Sequence, residues 1–192
     1  MLFSFVTKWA VKRLLKKRTG GGFRSVEETQ RVVLLAQGKD MGGIVAGIQE
    51  LVECGLKVTL VVESRHKHNI PVAIPGCYPI LRVRKDWLLN RPTNEFLQSF
   101  DNNDGDVLLD ISTDRSLSLA YLVARSRAEF KIGVPKDEDN PFDLQILMPK
   151  PVSHEVTDDE PSDAKKSDRN SVNLLHDALF YWKKIGAKEN NL

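Results

Sequence analysis

Arg31-Val-Val-Leu-Leu-Ala36 and Lys57-Val-Thr-Leu-Val-Val-Glu63 decide the fold. Each is a short apolar run rich in β-formers, and neither alternates apolar with polar residues. Such a run reads as a strand buried on both faces, which belongs in a parallel sheet. Between the two, Ile44, Val45, Ile48, Leu51 and Val52 recur at helical spacing, and Gly55 supplies a stop. The strand, helix and second strand make a βαβ unit, for which a right-handed crossover is expected.

The pattern continues downstream. Ile80–Lys85 reads as a third strand, Pro92–Phe100 as a short helix and Asn102-Asn103-Asp104-Gly105 as a turn. Asp106-Val-Leu-Leu-Asp-Ile-Ser112 is a strand, and Ser116–Arg127 is a helix dense enough in Leu and Ala to be well buried. Phe130–Val134 and Phe142–Leu147 are two further short strands. In the last helix Val172, Leu175, Leu179, Trp182 and Ile185 form one stripe, with Ser171 as cap and Gly186 as stop. The fold class predicted is α/β: a three-layer Rossmann-like domain with a mostly parallel sheet of about five or six strands and helices on both faces.

Composition is consistent with that reading. The 192 residues suffice for one α/β domain with tails, at 41% hydrophobic and 28% charged. Two cysteines argue against a disulfide framework, and no apolar run approaches the roughly 18 residues of a transmembrane helix. The formal net charge of +2 is a cancellation. Residues 1–24 carry seven basic residues and no acid, whereas residues 25–149 carry 14 basic and 18 acidic residues. The organisation expected is a basic arm (1–24), an α/β body (25–148), a polar mobile loop (149–171), a helix packed on the body (172–186) and a tail (187–192).

The arm does not read as a secretory signal, because its apolar residues precede its bases. Leu2, Phe3, Phe5, Val6, Trp9 and Ala10 share one helical face, but Arg13, Lys16 and Lys17 fall on that face further along, with Val11, Leu14 and Leu15 opposite. The reading is an aromatic foot followed by a basic collar. Phe3, Phe5, Trp9, Lys12, Arg13, Lys16 and Lys17 are its candidate contacts with an anionic membrane surface or a protein partner. Nucleic acid is the weaker alternative. The competing reading docks the apolar residues on the body and leaves the bases in water. The location expected is cytoplasmic, peripheral to the inner face of the membrane.

Ligands of doubly wound sheets sit beyond the carboxyl ends of the strands, where the strand order reverses. If the Arg31 strand lies between the Lys57 and Asp106 strands, two loops meet there. One is Gln37-Gly38-Lys39-Asp40-Met41-Gly42-Gly43 and the other Ser112-Thr113-Asp114-Arg115-Ser116. Each is expected to open a helix and so to offer unpaired backbone N–H groups to an anion. Gly38, Gly42 and Gly43 admit a phosphate close to the backbone, and Lys39 and Arg115 add charge. The candidate ligand-binding residues are therefore Gly38, Lys39, Asp40, Gly42, Gly43, Ser112, Thr113 and Arg115. The first loop matches neither the P-loop nor the dinucleotide glycine pattern. The plainer reading is that the glycines serve a turn and that Ser112, Thr113 or Ser116 caps a helix.

No cofactor and no metal site is expected. The acidic turn Asp101–Asp106 has the wrong register for a calcium loop. His66, His68 and Cys77 lack zinc-ligand spacing. There is no Gly-x-Ser-x-Gly elbow. Asp110, near a strand end, is a candidate general base whose commoner role is to bond neighbouring backbone. Cys54 and Cys77 read as reduced thiols, Cys54 packed at a helix end.

Asp106-Val-Leu-Leu-Asp-Ile-Ser112, Phe130-Lys-Ile-Gly-Val134, Phe142-Asp-Leu-Gln-Ile146 and the helix Leu175–Gly186 together resemble an uncharacterised bacterial family of short Rossmann-like proteins, a domain of unknown function. Members tend to begin with a basic helical arm. The likeness covers most of residues 31–186, with 149–171 as an insertion. More distantly, the order strand, glycine loop, helix, strand is similar to the N-terminal half of two-domain (GT-B type) glycosyltransferases. This implies a scaffold without the donor-binding second domain. The function expected is a non-catalytic or weakly ligand-binding domain. The alternatives are a small enzyme or sensor for a nucleotide or phosphorylated ligand at the two loops, and a nucleic-acid partner using the arm. A homodimer through the arm or an edge strand is compatible with all three.

Overall fold

The computed structural model describes residues 3–18, 21–41, 44–64, 73–86, 88–136, 140–147 and 171–189. In chain order these form α1 (Phe3–Lys17), β1 (Arg31–Gln37), a 3-10 turn (Gly38–Asp40), α2 (Val45–Glu53), β2 (Lys57–Glu63), β3 (Cys77–Arg82), β4 (Lys85–Asp86) and β5 (Arg91–Pro92). Then come α3 (Asn94–Asn102), β6 (Val107–Asp110), α4 (Leu117–Arg125), β7 (Phe130–Gly133), β8 (Leu144–Gln145) and α5 (Ser171–Glu189).

Six strands make one sheet in the order β3-β2-β1-β6-β7-β8, and every neighbouring pair is parallel. Leu34 of β1 pairs with Leu60 on one side and Leu109 on the other. The chain reverses its direction of travel across the sheet between β1 and β6, so a crevice opens beyond their carboxyl ends. β4 and β5 form a small antiparallel pair of their own.

The apolar runs divide their residues between the two faces. Val32, Leu34 and Ala36 of β1 pack in one core with Ile48 and Leu51 of α2 and with Leu175, Leu179 and Trp182 of α5. Val33 and Leu35 face the other core, with Phe96 and Phe100 of α3 and Leu119 and Leu122 of α4. A strand sandwiched in this way has no polar face to show, which is why its sequence lacks alternation. The fold is thus the three-layer, Rossmann-like α/β arrangement. At Gly47 a Cβ would come within 2.5 Å of Leu175 Cδ2, so the missing side chain lets α2 and α5 approach closely.

The arm docks. Ala10, Val11 and Leu14 pack against the α3–α4 core, and Thr7 is buried with its Oγ1 donating to the Leu89 carbonyl at 2.6 Å. At the other end of α1, Arg18 donates to the Pro141 carbonyl and pairs with Asp143 at 2.5 Å. Phe5, Val6 and Trp9 face outward. The helix therefore turns inward the side opposite its N-terminal aromatics, because that side alone stays apolar to the last turn.

Several boundaries and contacts differ from the expectation. The third strand is Cys77–Arg82 rather than Ile80–Lys85. Pro79 argues against a strand in the sequence, yet β3 is the sheet edge, where one missing donor is tolerated. Cys54 stands exposed at the α2 C-cap rather than packed, and Ile185 is 36% exposed at the end of its stripe. The loop after β1 enters a 3-10 turn instead of opening α2 directly. Gly42, Gly43, His66, His68 and nearly all of 149–171 lie outside the described residues.

Candidate anion site at the strand ends

Asp110 closes β6 with its side chain 3% exposed, and Ser112 follows fully buried. Asp110 Oδ1 accepts from the Ser112 backbone N–H at 3.0 Å and from the Ser112 hydroxyl. Lys136, three residues past β7, brings its Nζ to 2.7 Å from Asp110 Oδ2 and 2.5 Å from Ser112 Oγ. A charge this far from water requires its opposite charge close by, and the parallel neighbours β6 and β7 place both at one end of the sheet. Gly133 makes room here: a Cβ on it would stand 2.7 Å from the Phe142 ring and 3.0 Å from the Asp110 carbonyl.

Above this pair lies a crevice of about 1220 Å³. Its lining includes Gln37, Gly38 and Lys39 from the end of β1, Asp110 and Lys136 on the floor, and Asp114, Arg115 and Ser116 from the loop before α4. Lys8 and Lys12 of α1, with Lys85, Glu63, Ser64 and Asn90, are also in the polar part. Six bases thus line it against three acids. Each acid holds one base: Lys136 with Asp110, Lys39 with Asp114 at 2.7 Å, and Lys85 with Glu63 at 2.6 Å. Lys12 and Arg115 have partners of their own.

The two loops singled out in the sequence are joined across the crevice. Besides the Lys39–Asp114 pair, the Asp114 backbone N–H donates to Gln37 Oε1 at 3.1 Å. Gly38, Lys39 and Arg115 line the opening. Ser112 is sealed beneath Asp110, and Thr113 does not line the crevice. Asp40 belongs to the 3-10 turn. Ser116 caps α4, its Oγ accepting from the Leu119 N–H at 3.3 Å. Of the arm residues read as surface contacts, Lys12 turns toward the crevice, and Arg13 lies 5.3 Å over the Trp9 ring. Phe5 is 70% and Trp9 54% exposed, and Lys16 and Lys17 are exposed as well.

Sequence reasoning missed Lys8, Lys85 and Lys136 as site residues. Lys136 had one usable signal, a base shortly after the carboxyl end of a strand. The others reach the site only through tertiary contacts.

The acidic turn has a structural role. Asp104 accepts from Ser126 Oγ and the Arg127 N–H, both at 2.7 Å, and so fastens the end of α4. Asp106 Oδ2 takes the backbone N–H groups of Gln30 and Arg31 at 2.9 Å ahead of β1. Among the described residues no cluster of three metal-ligating side chains occurs. No described helix is long and apolar enough to cross a membrane.

No curated protein and no solved structure matches this chain. A family model does match it, over residues 4–158, a span that takes in all but the first residue of α1, the whole sheet and both loops of the crevice. The chain belongs to the family of unknown function DUF6913.

Proposed function

We propose that this chain is a binding domain for a phosphorylated small molecule, a nucleotide or sugar nucleotide among them, held in the crevice beyond β1 and β6. One observation carries the reading: Lys8 and Lys12 of α1, Lys39, Lys85, Arg115 and Lys136 arrive from five segments and line one opening. Convergent bases in a partly enclosed space focus their field on a bound anion far more than scattered surface lysines do. Gly38 and the backbone ahead of α4 add N–H donors. In this reading α1 is a wall of the site rather than a separate arm. The role proposed is binding.

Thermal denaturation with a panel of nucleotides, sugar nucleotides and pyrophosphate tests the reading. A ligand at 100 times its Kd adds about 2.7 kcal/mol of stability. The absence of any shift across the panel contradicts it.

A second reading makes the chain a bacterial cytoplasmic protein, peripheral to the inner face of the membrane. The exposure of Phe5 and Trp9 beside the bases of α1 favours it. Pelleting with anionic vesicles checks it: the chain is expected to sediment, and Trp9→Asp to stay in solution. Equal partitioning of the two contradicts it.

A further inference from the structure

The docked helix α1 keeps a second surface turned to solvent. Phe5, Trp9, Arg13 and Lys16 fall within about 80° of one another around it, and all four are exposed. Val6 and Lys17 flank them and are exposed as well. Along this strip the aromatics come first and the bases follow, joined where the Arg13 guanidinium lies 5.3 Å over the Trp9 ring. The opposite side of the helix holds Thr7, Ala10, Val11, Leu14 and Arg18, each engaged with the body. Docking therefore leaves the outward strip uncovered. No acid occurs in the helix.

We infer that α1 is a preformed docking face for an anionic phospholipid bilayer, and that it binds without leaving the body. Phe5, Val6 and Trp9 enter the boundary between headgroups and acyl chains, while Arg13, Lys16 and Lys17 meet lipid phosphates. This rests on the membrane reading above and specifies the lipid charge, the contact residues and the state of the helix. Charge selects the occupant. Against the same strip of a second copy the bases would face one another, with no acid in either helix to neutralise them. Single-stranded nucleic acid is held in grooves, whereas the strip is the convex side of a helix. An isolated helix of 15 residues is marginal in water. Bonds to Leu89, Pro141 and Asp143 already hold this one in shape, so the bilayer does not have to order it.

Sedimentation of the full chain with vesicles of phosphatidylcholine, alone or mixed with phosphatidylglycerol, tests the partner. Amide shifts of the ¹⁵N-labelled chain on nanodiscs of the mixed composition read the state of α1. The chain is expected to partition about tenfold or more in favour of the mixed vesicles. Lys16→Gln combined with Lys17→Gln is expected to lower that partitioning roughly thirtyfold, about fivefold for each base. Phe5→Asp is expected to lower it about tenfold or more. All three residues are exposed, so the variants keep the fold. The amides of Leu89 and Asp143, bonded to α1 through Thr7 and Arg18, are expected to hold their shifts on the nanodisc. Equal partitioning into both kinds of vesicle overturns the anionic partner and leaves the membrane reading standing. No partitioning into either overturns both. Undiminished partitioning of both variants overturns the contact strip, and movement of the Leu89 and Asp143 amides overturns the docked state. Tighter binding to oligothymidylate than to the mixed vesicles overturns the choice of occupant.

Discussion

Lys136 Nζ and Asp110 Oδ2 lie 2.7 Å apart at the ends of neighbouring strands, with the side chains only 16% and 3% exposed. Neither charge has ready access to water, so each depends on the other. Lys136→Met leaves Asp110 stranded and is expected to destabilise the fold by about 3–5 kcal/mol. Asp110→Asn combined with Lys136→Met is expected to recover much of that loss. Urea denaturation of the two variants checks both. A near-neutral Lys136→Met contradicts the pairing.

Lys131 is buried for a different reason. It points out of β7 toward α4, and its Nζ donates to the carbonyls of Val123 and Ser126 at 2.6 and 2.8 Å, where the last turn of the helix has acceptors to spare. Burial, with a contribution from Arg18, pushes its pKa down to about 8 from 10.5. The unfolded chain therefore holds this proton over a pH range in which the folded chain has released it. Below pH 8 the burial penalty is fully present, and it is relieved as pH rises from about 8 to 10.5. The stability of the wild type relative to Lys131→Met is expected to rise across that window. Denaturant titrations at intervals of pH check this, and a falling difference contradicts it.

The two sides of α1 are expected to respond in opposite ways. Leu14 packs against the α3–α4 core, so Leu14→Asp should lower stability by about 1–2 kcal/mol. Phe5 projects into solvent, and Phe5→Asp should stay within about 0.5 kcal/mol of the wild type. Thermal unfolding of both variants distinguishes this docked helix from a detached arm, for which the two substitutions would behave alike.

Asp114 competes with any bound anion for Lys39. Their pair is exposed, at 49% and 66%, so losing it has little effect on the fold. Asp114→Asn is expected to leave the melting temperature almost unchanged and to tighten pyrophosphate binding severalfold, by removing a negative charge from the lining. Calorimetry checks this. Weaker binding in the variant contradicts the proposed polarity of the site.

The sheet was legible in the sequence because β1, β2 and β6 are buried on both faces, and a continuous apolar run has few other uses. The loops after β1 and β6 were legible for the same reason, since a parallel sheet determines which ends face the crevice. The docking of α1 was not legible. Its inward face is selected by Thr7 meeting Leu89 and Arg18 meeting Pro141 and Asp143, contacts between segments far apart in the chain. Lys136 escaped notice because its partner sits on a different strand. Trp182 lay plainly on a helical stripe, yet its Nε1 donor to the Arg24 carbonyl at 2.7 Å needed the tertiary fold to be seen.

The central claim is that an anion binds where the ends of β1 and β6 meet. Titration of the ¹⁵N-labelled chain with pyrophosphate, followed by amide chemical shifts, tests it most directly. Saturable shifts are expected to concentrate on Gly38, Lys39, Asp114, Arg115 and Ser116. Shifts scattered over the exposed lysines of the surface, or none at all, would contradict it.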